Sequence, residues 1–349
     1  MAHRSVSQLN TYQRCPRQYY YRYMKKLPEK PSEFLMVGTA FDEAMNFVID
    51  NGGCVPNKQS RPHDDVVDAA ILLMSNRLEK LLSESPFDDE IKENARENVF
   101  QLSKLVRPYF MEFLPDTGLV PHSSQYKLNY YIDGIPEPIL GYIDMIAVDE
   151  KTGRFVIVDF KASNSVALSL DYRRQVWVYA KALEELESLD YLPDCQVHMF
   201  SKKPPTIPKA QRTKLGLDGT LAHHWPEEII EELYTDDFIE KKVSLFSAEM
   251  RDEDWLTINE SYVDLEHSIR TGFFPKNRTH TLCTKRFCSF WETCMSKEAS
   301  QKSLDYRKSV LETGDGPVKQ EEPVLFMVED SNPPPLHRSP ETSVFDFLS

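Results

Sequence analysis

Apolar residues recur along this chain with two different periods, and the change between them divides it. Over 36–50, in "MVGTAFDEAMNFVID", they return every three or four residues, and the same period runs through 64–84 and 88–113. That spacing predicts amphipathic helices. Residues 7–27 also read as helical, with the aromatics of "QYYYRYM" set among basic residues. Near residue 119 the pattern changes. "QYKLNYYIDG", "PILGYIDMIAVD", "RFVIVDFKAS" and later "DCQVHMFSKK" are strand-like runs bounded by Gly-, Pro- and Lys-rich turns. Residues 171–187 predict a helix between the third and fourth strands, with Asp171 in its first turn. Two more helices are predicted over 226–249 and 253–270. The centre therefore reads strand–strand–strand–helix–strand: an α/β core with a mixed central sheet flanked by helices, carrying helical elaborations on both sides.

Two of these strands hold charge where a core strand should not. Asp144 follows "GYI", and Asp159 and Lys161 interrupt "FVIVDFKAS". Side chains alternate along a strand, so Asp159 and Lys161 share a face while Phe160 points the other way. Asp144 lies on the preceding strand, within reach across a hairpin. Unpaired charge on a buried sheet is costly and needs compensation. One source is a hard divalent cation, Mg²⁺ or Mn²⁺, held by the carboxylates, with Lys161 orienting a water or stabilising developing negative charge. The other is a plain salt bridge at a sheet end.

The wider pattern "GYIDMI…VIVDFKAS…YRRQVWVYAKAL" resembles the PD-(D/E)XK nuclease superfamily in its RecB-like branch. The resemblance implies a restriction-endonuclease-like core and casts Asp144 and Asp159 as metal carboxylates and Lys161 as the catalytic lysine. Gln175 and Tyr179, four apart on one helix face, match the branch's Gln-x-x-x-Tyr motif. "SVSQLNTYQRCPRQYYYRY" is similar to the family's opening helix, through Ser7, Tyr12, Cys15 and Pro16, and "LMVGTAFDEAM" to its next motif. The family usually carries a histidine ligand four residues after that glycine. Here Asp42 stands four residues after Gly38, a ligand that favours hard ions, or else a solvated helix residue.

There are six cysteines, and the last three, Cys283, Cys288 and Cys294, are spaced C-x4-C-x5-C. Three close thiols point to a metal site, which needs a fourth ligand with Cys15 as the candidate, or else to structural cysteines without metal. The resemblance implies a [4Fe–4S] cluster on these four residues, stapling the N-terminal helix to the C-terminal segment. Structural Zn²⁺ on the same set is the rival, and the family's commoner first gap is x2. Cys54 and Cys195 read as ordinary residues.

Composition refines the picture. The 349 residues carry a net charge of −14, which taken alone argues against a nucleic-acid partner. Yet Arg4, Arg14, Arg17, Arg22, Lys25, Lys26 and Lys30 crowd the first thirty residues, and further basic runs span 202–214 and 270–286. Each is a solvated face or part of a groove for nucleic acid. Arg14, Arg17, Tyr20, Arg22, Lys285 and Arg286 are the candidates for gripping single-stranded DNA ends through phosphate contacts and base stacking. No run is long enough to span a membrane, and the start lacks the apolar stretch of a signal peptide, so the chain reads as soluble and cytoplasmic. Past 312 it turns Pro-rich and acidic, and a disordered tail is expected. Its last residues, 342–349, resemble the peptides with which some phage replication proteins grip a sliding clamp.

The expected organisation is an N-terminal helical region with the first cluster cysteine (1–118), a nuclease core (119–210), a C-terminal helical region with three cluster cysteines (211–300) and the tail (301–349). The function implied is a metal-dependent DNA nuclease, a single-strand exonuclease of repair, recombination or replication. The alternatives are an idle DNA-binding or recruitment subunit and a site-specific endonuclease on the same fold.

Overall fold

The computed structural model describes residues 3–29, 32–285, 287–296 and isolated positions up to 308. Arg286, most of the region after 296 and the terminal peptide 342–349 lie outside the described residues.

Where one helix is predicted over 7–27, the backbone breaks at Cys15. Helix α1 (Val6–Arg14) starts on Ser5, whose side chain accepts the Gln8 N–H at 3.2 Å. It stops because Pro16 disfavours helical geometry in the residue before it, and Cys15 is extended, at φ −160° and ψ 106°. Pro16 then opens α2 (Pro16–Tyr19), where its missing N–H would have no helical partner anyway. A π-helical turn at Tyr20–Met24 follows.

Helices α3 (Glu33–Asn51), α4 (Asp64–Ser83) and α5 (Asp89–Pro108) match the three amphipathic runs within a few residues. On α3 the spacing of Val37, Phe41, Ala44 and Val48 makes one buried stripe. A second π-helical turn at Tyr109–Phe113 and the short α6 (Leu114–Asp116) lead into the sheet. Strands β1 (Leu119–Tyr130), β2 (Ile139–Asp149) and β3 (Phe155–Ser163) form an antiparallel meander. Its β2–β3 turn is fixed by Asp149 Oδ1, which accepts the N–H of Lys151 at 2.7 Å and of Thr152 at 3.1 Å. Helix α7 (Leu170–Leu186) then returns the chain so that β4 (Asp194–Ser201) pairs parallel to β3.

Residues 226–249, predicted as one helix, are instead α9 (Glu227–Leu233), α10 (Asp236–Glu240) and a fifth strand, β5 (Val243–Ser247), which pairs antiparallel to β4. The run "VSLFS" is too short to show a strand period of its own, and the helical spacing before it masks the change. The sheet, in order β1-β2-β3-β4-β5, thus takes an edge strand from the region expected to be helical. Between β4 and α9 lie α8 (Lys209–Lys214) and a 3-10 turn at Ala222–His224. Helices α11 (Asp252–Thr271) and α12 (Trp291–Met295) complete the described chain.

Two cores sandwich the sheet. Phe41, Met45, Leu102 and Phe110 of the α3–α5 layer pack on Val156, Val158 and Phe160 of β3. On the other face Leu9, Trp177, Val178 and Tyr262 pack with Ile157. This is the mixed, helix-flanked α/β sheet that the strand pattern predicts. Among the described residues no helix is long and apolar enough to cross a membrane.

Candidate active site

The β2–β3 ladder runs from Val148↔Phe155 to Met145↔Val158 and stops. In that register the next opposed pair is Asp144 and Asp159. In place of a ladder bond, Asp144 Oδ2 accepts the Phe160 N–H at 3.0 Å. Beyond this point β3 follows β4 as far as Ser163↔Ser201, while β2 follows β1. The sheet therefore opens where its two carboxylates stand.

Asp159 is 1% exposed, and neither of its oxygens has a hydrogen-bond partner. Its compensation is the Lys161 ammonium, with Nζ 2.5 Å from Oδ2. Burial drives the Asp159 carboxyl well above the usual carboxylate range; Lys161 opposes the rise and Asp144 adds to it. Asp42, delivered by α3 one turn after Gly38, is pushed up to about 7, first by burial and then by Asp144. Lys161 moves the same way for the opposite reason. Burial alone would lower it, but Asp159, Asp144 and Asp42 together hold it above the usual lysine value. Three carboxylates face one ammonium, so the site carries surplus negative charge. Protons or a divalent cation must balance it. An all-oxygen donor set in which Asp159 Oδ1 is buried without a partner fits a hard ion such as Mg²⁺ or Mn²⁺.

A cleft of about 450 Å³ opens beside these groups, lined among others by Phe34, Gly38, Asp42, Lys161, Asn164 and Lys202. Lys202 and Asn164 are residues that sequence reasoning missed. Lys202 sits just past the end of β4, buried, with Nζ 4.9 Å from the Phe34 ring centre, and burial lowers its pKa. Within the basic run 202–214 nothing distinguishes it from its neighbours; only the parallel β3–β4 pairing brings it to the cleft.

Helix α7 supplies the remaining pair. Its N-cap Ser169 accepts the Tyr172 N–H at 3.3 Å. Gln175 Nε2 then donates to the Tyr179 hydroxyl at 3.3 Å. The hydroxyl is pushed up to about 12 by burial, with Asp159 and Asp144 adding to it. Its ring crosses β2 at Gly141, where a Cβ would fall 2.6 Å from Tyr179 Cε1. The glycine of "LGYID" is thus the gap that admits the tyrosine.

The cysteines assemble elsewhere. Cys15 Sγ accepts the Asn277 N–H at 3.5 Å, and Asn277 Nδ2 donates to Arg14 O at 2.9 Å. Burial raises the Cys288 thiol, with Cys15 and Cys283 adding; burial also raises Cys294, where Lys276 opposes and Cys15 and Cys288 add. Cys288 and Cys294 both feel Cys15, so the N-terminal break and the 283–294 stretch share one neighbourhood. Tyr19 and Tyr20 on Phe274, and Tyr21 on Phe290, weld it. Cys54 and Cys195 stand apart, Cys195 buried in the second core.

Among the described residues, the candidate nucleic-acid residues lie around this weld, and most are engaged. Arg14 pairs with Asp171 at 3.4 Å, Arg22 with Glu29 at 2.6 Å and Lys285 with Glu292 at 2.8 Å. Arg17 lies over the Tyr20 ring at 5.6 Å.

Residues 3–295 match the family model of the PD-(D/E)XK nuclease superfamily, and the chain belongs to that superfamily. Its members are phosphodiester hydrolases acting on nucleic acid, typically with Mg²⁺ or Mn²⁺. Among curated proteins none matches the chain.

Proposed function

We propose that this protein is a RecB-like, metal-dependent deoxyribonuclease that degrades single-stranded DNA from its ends. The observation that carries the reading is the convergence of Asp42, Asp144, Asp159 and Lys161 at the point where the β2–β3 ladder stops. The pairing of Gln175 with Tyr179 beside the carboxylates supports the RecB-like branch.

Asp42, Asp144 and Asp159 would hold Mg²⁺ or Mn²⁺, which when bound would supply Lewis acidity toward a water and a phosphoryl oxygen. Lys161, kept an ammonium by its carboxylate neighbours, serves as a donor to developing negative charge and not as a base. Tyr179 keeps its proton and holds the Gln175 amide in place. Lys202, close to the cleft floor, adds positive charge for a phosphate. Cys15, Cys283, Cys288 and Cys294 carry a [4Fe–4S] cluster that staples the chain ends; a colourless protein with one zinc on these thiols would replace the cluster by Zn²⁺. The terminal peptide recruits the enzyme to a clamp or similar replication protein, and deletion of 335–349 with unchanged partner capture would remove that role.

The test is digestion of end-labelled single- and double-stranded DNA with Mg²⁺ or Mn²⁺, beside Lys161→Ala. Stepwise shortening of single strands, lost in the variant, is expected. Wild-type rates in Lys161→Ala would displace the assigned site, and a wild type inert on every substrate would leave an idle binding subunit.

A further inference from the structure

The connection from β4 to β5 crosses α5 over a small core of its own, built from Ile207, Leu217, Ala222 and Trp225. Its 3-10 turn sets two imidazoles against α5. His223 Nε2 and His224 Nε2 each lie 3.0 Å from Glu93 Oε2, and the three atoms are within 4.8 Å of one another. Donors at zinc-ligand bond lengths around one tetrahedral ion stand about 3.3 Å apart, so these atoms already have nearly that spacing.

The surroundings commit each group. Arg96 Nη1 takes the other Glu93 oxygen, Oε1, at 2.6 Å and leaves Oε2 to the imidazoles. His223 Nδ1 lies 2.9 Å from Glu97 Oε2, which also accepts the His223 backbone N–H at 3.0 Å. Glu97 is buried and held in turn by Gln101 Nε2 at 2.8 Å, which also reaches the Tyr234 hydroxyl at 2.6 Å. A carboxylate behind a histidine fixes the tautomer: the proton sits on Nδ1 and the lone pair on Nε2. That lone pair then faces Glu93 Oε2, beside His224 Nε2, and a cation placed between them would draw on all three atoms. The two rings lie side by side, with centres 3.9 Å apart, so that one ion can reach both Nε2 atoms and the Glu93 oxygen. One divalent ion satisfies both nitrogens and the oxygen together.

We propose that Glu93, His223 and His224 bind one Zn²⁺, with a fourth position open to water, and that the ion ties the β4–β5 connection to α5. The site is separate from the cleft and from the cysteines.

The test titrates the full-length protein, saturated with Mg²⁺, with Co²⁺ and then Zn²⁺. Visible absorption without a thiolate-to-cobalt band in the near ultraviolet, bleached by one equivalent of Zn²⁺, is expected. His224→Ala changes an exposed ring and should lose that equivalent and at least tenfold in Zn²⁺ affinity, with DNA cleavage unchanged. Glu97→Gln keeps all three ligands and should weaken binding about tenfold. If His224→Ala and Glu93→Gln retain wild-type Zn²⁺ stoichiometry and affinity, the cluster is a hydrogen-bonded contact and the proposal fails. It fails equally if thiolate-bound cobalt is the only species formed.

Discussion

The cleft carboxylates and the cysteine cluster are assembled in opposite ways. Asp144, Asp159 and Lys161 come from one hairpin, and their placement follows from strand alternation and a ladder that stops. The four cysteines come from opposite ends of the described chain, and Pro16, Phe274 and Asn277 must all be in place before their two segments meet. The first site is hard, buried and overcharged. The second is soft, and the metal proposed for it would close a very long loop. A hairpin site burdens the fold that contains it, whereas a long-loop site restricts the unfolded chain and so supports the fold. The two should therefore respond to mutation with opposite signs of stability.

The largest expected effect is on catalysis. Asp159→Asn or Lys161→Ala should lower the cleavage rate by about 10³-fold. Asp159→Asn removes one of three carboxylates that face a single ammonium, so thermal unfolding without divalent metal should occur at an unchanged or higher temperature. A marked fall in melting temperature would break the contrast. Cys15→Ser should do the reverse. Cluster content should fall as far as in Cys288→Ser, and the melting temperature should drop by at least about 5 °C. Full metal retention by Cys15→Ser would show a fourth ligand elsewhere.

Gly141→Ala sharpens the catalytic half. A Cβ there meets the Tyr179 ring at 2.6 Å and must displace it. A shift of that order beside the carboxylates should cost up to about 10²-fold in rate, with metal in the cysteine cluster unaffected. Unchanged kinetics would mean that Tyr179 has no part in positioning the site.

The smallest effect is on pH dependence. Asp42 is raised to about 7 in the fold, above its range in the unfolded chain. Its protonation favours the fold at acid pH, and that contribution fades as pH rises through about 7. Mg²⁺ needs the ionised form, so its affinity should climb over the same window, by less than tenfold per pH unit. Calorimetric titration from pH 6 to 8 checks this, and Asp42→Asn should flatten the slope. His198, buried in the sheet against the Tyr109 hydroxyl, is pushed down to about 3 by burial. It acts with the opposite sign: the unfolded chain takes its proton first, so this contribution to stability falls once pH drops below about 6.5.

What was legible in the sequence follows the same division. Period and strand alternation were enough for α3 to α5, the meander, α7 and the common face of Asp159 and Lys161, because each depends on neighbours in the chain. Lys202 and Gly141 were invisible as functional positions. Lys202 reaches the cleft through parallel pairing with a distant strand, and Gly141 matters only because a ring from α7 passes over it. β5 was hidden by the helical spacing ahead of it. Glu93 and His223 carried no signal in the sequence, since nothing local joins α5 to a turn more than a hundred residues on. The break at Cys15 had a local cause in Pro16, yet the aromatic-rich run around it read as one continuous helix.

The bond from the Phe160 amide to Asp144 gives the cleft a built-in reporter. A backbone N–H that ends on a carboxylate is sensitive to whatever that carboxylate holds. In a ¹⁵N-labelled sample the Phe160 resonance should move when Asp144 is ligated, while the Val158 amide, still within the regular ladder, stays still. Its solvent exchange should follow site occupancy too. Ion binding at the cleft can then be followed from the main chain alone, without substrate and without turnover.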